Sequence, residues 1–95
     1  MGRKKGAIDR VQFIMMEKDI NVFKLSDKLL QRTPIIVNFE EYRDEESNKI
    51  ITFLSGVTYA IDGEIEMIKD KIFLFASKED FKDGSLRKFV EEYKE

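Results

Sequence analysis

The sequence predicts an α/β fold: a two-layer sandwich in βαβαββ order, with a small mixed sheet, two crossover helices on one face and a short C-terminal helix. Three stretches carry the prediction. Residues 34–39, P-I-I-V-N-F, are dense in β-branched side chains and open on Pro34, which a strand tolerates at its first position. Residues 48–63 form a helix whose Ile50, Phe53, Leu54, Val57 and Ile61 recur at three- and four-residue spacing. The run E-I-E-M-I, the turn Lys69-Asp70-Lys71 and K-I-F-L-F-A then make an antiparallel hairpin.

Taken in order, residues 1–10 open on the basic, glycine-bracketed M-G-R-K-K-G and are expected to be a disordered lead-in. Val11 to Met16 is an apolar run of strand length, with Val11, Phe13 and Met15 on one face and Ile14 and Met16 on the other, both faces at least partly buried. Asn21 is placed to cap a helix reaching Lys28–Gln31, in which Val22, Leu25 and Leu29 share one side and Phe23 and Leu30 border it. A strand, helix, strand order predicts a parallel crossover. The acidic run E-E-Y-R-D-E-E-S, residues 40–47, invites a magnesium site, but Asp44, Glu45 and Glu46 sit where the positive end of a helix favours them.

The central helix is expected to end near Asp62-Gly63, with Gly63 in the left-handed conformation just past its end. In the hairpin, Ile65 and Met67 point inward and Glu64 and Glu66 outward. Ile72, Leu74 and Ala76 oppose Phe73 and Phe75. With both crossover helices on one side, Phe73 and Phe75 are expected to face the other, leaving an apolar surface that asks for a partner. Residues 11–79 make the core domain and 80–95 a C-terminal amphipathic helix. There Leu86, Phe89, Val90 and Tyr93 form a stripe that packs on its own domain or crosses to a neighbour.

The central helix has a second feature. Thr52, Gly56 and Ala60, with Ser55 beside them and Ile51 and Tyr59 as flanks, form a line of small side chains. Such a line either accommodates the domain's own sheet or first helix, or admits a second copy of the chain.

Composition narrows the function. The 95 residues make one domain with a modest core. A net charge of −2 gives no electrostatic footprint for nucleic acid. Without Cys or His there is no disulfide, thiolate zinc site, Ser-His or Cys-His arrangement, so an enzyme would have to work with carboxylates and lysines. No apolar run is long enough to span a bilayer and no secretory signal is present, which predicts a cytoplasmic chain.

P-I-I-V-N-F-E (34–40), K-I-I-T-F-L-S-G-V-T-Y-A-I-D-G (49–63) and I-F-L-F (72–75) together resemble the SepF family of bacterial and archaeal cell-division proteins, over about Val11 to Ser77. The block F-L-S-G-x-x-Y-A-I-x-G at the correct distance after a P-[IV]-[IV]-V-N strand is the most specific part. The resemblance implies a non-catalytic scaffold without cofactors that dimerises, with further polymers open to it. It also implies binding of the C-terminal tail of FtsZ, the tubulin-like division GTPase, and a link from FtsZ filaments to the membrane at the division site. The amphipathic membrane helix and linker usual in the family do not precede Val11, so membrane attachment is expected through a segment outside this chain or by another route. Ala76-Ser77-Lys78 stands where the family often has Thr-Pro, and Asp62-Gly63 where many members have Gly-Gly.

On this reading the dimer interface comprises Ile51, Thr52, Ser55, Gly56, Tyr59 and Ala60. The FtsZ-tail site comprises Phe73 and Phe75, with Ile65, Met67, Lys69 and Lys71 as lesser members. The alternatives are a small dimeric interaction module of unrelated role, or a carboxylate-based metal- or ligand-binding domain on Glu40 to Glu46.

Overall fold

The computed structural model describes residues 6–94. A 3-10 turn over Ala7–Arg10 leads into β1 (Gln12–Met15), α1 (Val22–Leu30), β2 (Ile35–Asn38), α2 (Asp44–Ala60), β3 (Gly63–Lys69) and β4 (Ile72–Ser77). A second 3-10 turn over Lys78–Phe81 precedes α3 (Ser85–Lys94). The helix starts follow local chemistry. Asn21 accepts the Phe23 N–H at 2.9 Å to cap α1, and α2 opens on Asp44, Glu45 and Glu46 at its positive end.

The sheet has the order β1-β2-β4-β3. β1 and β2 are parallel, joined by the α1 crossover, with Phe13 opposite Ile36. β4 enters between β2 and β3 and is antiparallel to both, pairing Val37 with Phe73 on one side and Met67 with Phe73 on the other. The mixed sheet and βαβαββ order predicted from the sequence are therefore present.

Each sheet face carries its own core. Under α1 and α2, Leu25, Leu29, Ile50 and Leu54 pack on Met16, Ile35, Val37, Phe39 and Phe75, with Phe73 half-buried beside them. On the opposite face, Leu86 and Val90 of α3 pack with Ala7, Ile36, Ile68, Ile72, Leu74, Ala76 and Phe81. α3 thus packs on its own domain.

Four expectations are corrected. Phe73 and Phe75 do not face away from the crossover helices. Register puts them beside Val37 and Ile35, and Phe75 is fully buried under α1 and α2. Gly63 does not supply the left-handed residue, because Asp62 does, at φ 57°. Gly63 instead begins β3 so close to its neighbours that a Cβ there would lie 2.4 Å from the Ala76 carbonyl oxygen and 2.7 Å from Thr58 Cγ2. The disordered lead-in expected over residues 1–10 fails for its second half, since Ala7–Arg10 is an ordered turn with Ala7 only 4% exposed. Met1 to Lys5 lie outside the described residues. The α3-side face of β1, expected to be at least partly buried, leaves Phe13 67% exposed, because α3 lies over β3, at the opposite edge of the sheet from β1.

Candidate functional site

The outer side of α2 is the most distinctive surface of the fold. Its inner side is already filled: Ile50, Leu54 and Thr58 are buried, and Ile51, Val57 and Ile61 pack at their margins. Thr52, Gly56 and Ala60 are exposed on the side away from the sheet, and a Cβ added to Gly56 would meet nothing within 4 Å. Gly56 therefore accommodates neither the domain's own sheet nor α1, and that reading of the small-residue line is overturned. The hydroxyls along the helix are occupied internally: Thr52, Ser55 and Thr58 donate to the carbonyls of Asn48, Ile51 and Leu54. On the outer side, the Thr52 methyl, the Gly56 hydrogens and the Ala60 methyl, rather than free hydroxyls, define the surface.

Large apolar side chains border this line. Tyr59 is 86% exposed. Phe23 of α1 is 68% exposed and meets Phe53 edge-on, with ring centroids 5.6 Å apart. Leu30 of α1 is also exposed. Phe23, Phe53 and Leu30 were missing from the site predicted from sequence. The signal for Phe23 and Leu30 lay in their place at the border of the α1 stripe rather than within it.

The six residues predicted for a partner site divide. Ile65 and Met67 lie on the α2 side of β3, opposite Phe75 and Phe73, and both are exposed on this edge strand of the sheet. Phe73 lines a groove of about 350 Å³ between α2 and the β3–β4 turn, together with Phe39, Asn48, Ile51, Asp70 and Lys71. Lys71 pairs there with Asp44 at 3.2 Å. Phe75 is beneath the helices and out of reach. Lys69 follows the irregularity between Met67 and Lys69, and its ammonium sits 4.9 Å from the ring centre of Tyr93 on α3, away from Phe73. Ile51 and Phe73 come from the two separately predicted sets and share one groove.

The acidic run is dispersed. Glu40 accepts from the Asn38 amide, Asp44 faces Lys71, and Glu46 lies 3.8 Å from Lys49. Among the described residues, no group of three His, Cys, Asp or Glu side chains is arranged to hold a metal ion, and no helix is long and apolar enough to cross a membrane.

The sequence profile of the family described as cell division protein SepF matches residues 18–79. The chain belongs to the SepF family. It is 35% identical over 68 residues to the cell division protein SepF of Lactobacillus gasseri, covering 72% of this chain and 47% of that one. The SepF of Carboxydothermus hydrogenoformans is 37% identical over 65 residues, 68% of this chain and 47% of its own length. The SepF of Lactiplantibacillus plantarum is 43% identical over 54 residues, 57% of this chain and 39% of its own length. The match thus spans less than half the length of these relatives. The profile match takes in α1, β2, α2 and the hairpin, the elements that build the α2 surface and its groove.

Proposed function

We propose that this SepF chain is a non-catalytic division scaffold that dimerises through the outer side of α2 and binds the C-terminal tail of FtsZ. The observation that carries the reading is the open line at Gly56: a helix with a completed core keeps a glycine where none of the described residues needs one. Two such lines meeting across a two-fold axis would let the backbones approach closely, with Ile51, Thr52, Ser55, Tyr59 and Ala60 around the contact and Phe23 and Phe53 as apolar shoulders. A four-helix layer of α1 and α2 from each copy follows from that arrangement.

The groove beside Ile51 and Phe73, continued by Ile65 and Met67, offers apolar contacts to a short tail, and an acidic group on that tail would have to displace Asp44 from Lys71 at its edge. Because the groove shares Ile51 with the dimer contact, tail binding and dimerisation are expected to depend on one another. The scaffold would act at the cytoplasmic side of the division septum, linking FtsZ filaments to the membrane. No cofactor enters this role.

Two measurements test it. Gly56→Lys, which places a long charged side chain at the centre of the contact without touching the monomer's core, should be monomeric by light scattering while folded by circular dichroism. A folded dimer would refute the interface. A labelled FtsZ C-terminal tail peptide titrated by anisotropy should bind Met67→Ala and Phe73→Ala at least about tenfold more weakly than the parent, and equal affinities in both variants would refute the groove.

A further inference from the structure

The N-terminal turn is held by a residue 76 positions further along the chain. The Ala7 N–H donates to Asp83 Oδ2 at 2.7 Å, and the Ile8 N–H donates to Ser85 Oγ at 3.0 Å. The other Asp83 oxygen accepts the Ser85 N–H and hydroxyl at 2.8 and 2.7 Å. One carboxylate therefore serves both the turn and the start of α3. Hydrogen bonds from Ser85, then from Ala7, hold its pKa below the ordinary value. Gly6 completes the fit: a Cβ there would lie 3.0 Å from Ser85 Oγ and 3.1 Å from Ser85 Cβ. The Ala7 side chain is buried in the same core as Leu86 and Val90.

α3 itself has ten residues, too short for a stable helix in water without docking. Its other ties are modest. Arg87 meets Glu64 at 2.9 Å and Lys94 meets Glu66 at 3.5 Å, pairs that are partly open to solvent and weak for that reason. Lys69 over Tyr93 secures the far end. The apolar contacts of Leu86 and Val90 do most of the holding, and the turn closes over them at Ala7.

We propose that the Ala7–Arg10 turn is the latch of α3, so that displacing the chain where it enters at Gly6 releases α3 and uncovers the sheet face built by Ile36, Ile72, Leu74 and Ala76. Displacement of the chain at Gly6 is thereby coupled to access on the sheet face opposite α2. The device is independent of the dimer and tail sites, which lie on the other face.

Hydrogen exchange on the full 95-residue chain tests it, using variants that leave the sequence of α3 intact. Ala7→Pro removes the donor to Asp83 at a position where proline suits a helical turn, and Gly6→Leu drives the turn off Ser85 sterically. The expected result is exchange of the amides of residues 86–94 accelerated about tenfold or more, with those of residues 35–38 and 72–77 unchanged. Unchanged α3 exchange in both variants would overturn the proposal. So would acceleration of α3 and β4 together, which would make α3 part of the global folding unit rather than a released cover.

Discussion

Gly63 and Gly56 sit 7 residues apart in sequence, and replacing each by alanine should move stability in opposite directions. In Gly63→Ala the new methyl carbon would start 2.4 Å from the Ala76 carbonyl oxygen, a backbone atom that cannot swing aside. Relieving the contact to about 3.3 Å requires β3 and β4 to part by about 0.9 Å at their end. That movement strains the Gly63–Ser77 pairing and the 3.1 Å hydrogen bond from the Lys78 N–H to the Asp62 carbonyl. Two weakened backbone bonds at about 1 kcal/mol each, with about 1–3 kcal/mol for overpacking against Thr58, give a loss of about 3–5 kcal/mol. A domain of this size has about 5–15 kcal/mol in total, so the melting temperature should fall by more than about 12 °C. In Gly56→Ala the methyl enters open space, and the helix gains about 1 kcal/mol of propensity. Urea unfolding followed by circular dichroism, repeated over serial dilution to separate folding from association, checks both. A Gly63→Ala midpoint equal to the parent's, or a Gly56→Ala protein less stable than the parent at the highest dilution, would refute the packing described for that glycine.

Asp80 is buried, pairs with Arg10 and bonds to Ser77 through both its side chain and its N–H, so Asp80→Ala should cost about 1.5–3 kcal/mol in urea unfolding. Asp83 and Glu79 both have lowered pKa values, Asp83 through Ser85 and Ala7 and Glu79 through Lys82. A depressed carboxylate contributes stability above its unfolded pKa and loses it as pH falls through the folded one. Because Asp83 bonds to the start of α3, protection of the α3 amides should decline as pH drops below 3.8, its ordinary value, and Asp83→Asn should flatten that decline. Phe23→Ala removes an exposed ring from the shoulder of the proposed contact. It should leave monomer stability nearly unchanged and weaken dimerisation by about tenfold in sedimentation analysis.

Much of this fold is written in local patterns. The Asn21 cap, the buried line Ile50, Leu54 and the β3–β4 hairpin need only residues near one another in the chain. What escapes such reading is settled at long range. β4 has apolar side chains on both alternating sets, Ile72, Leu74, Ala76 and Phe73, Phe75, so alternation alone cannot say which set meets the helices. Pairing with Val37 and Ile35 decides it. The Gly63 requirement arises from a carbonyl on β4 rather than from the helix end beside it. The candidate site shows the same division: the Gly56 line is legible as spacing, whereas its junction with Phe73 exists only once α2 lies beside the hairpin. The Ala7–Asp83 contact has no local signature, since one partner is a backbone N–H.

The place of β4 bears on how the chain is made as well as on how it stands. Ile72–Ser77 is the last of the four sheet strands to be synthesised, yet it occupies an interior position between β2 and β3. Until it leaves the ribosome, the backbone edge of Ile35–Asn38 that it will occupy has no partner, and Leu54 and Leu29 have no Phe75 to close over. A nascent chain ending before Ile72 therefore exposes an unpaired strand edge, and the α1–α2 side of the domain closes only when β4 inserts.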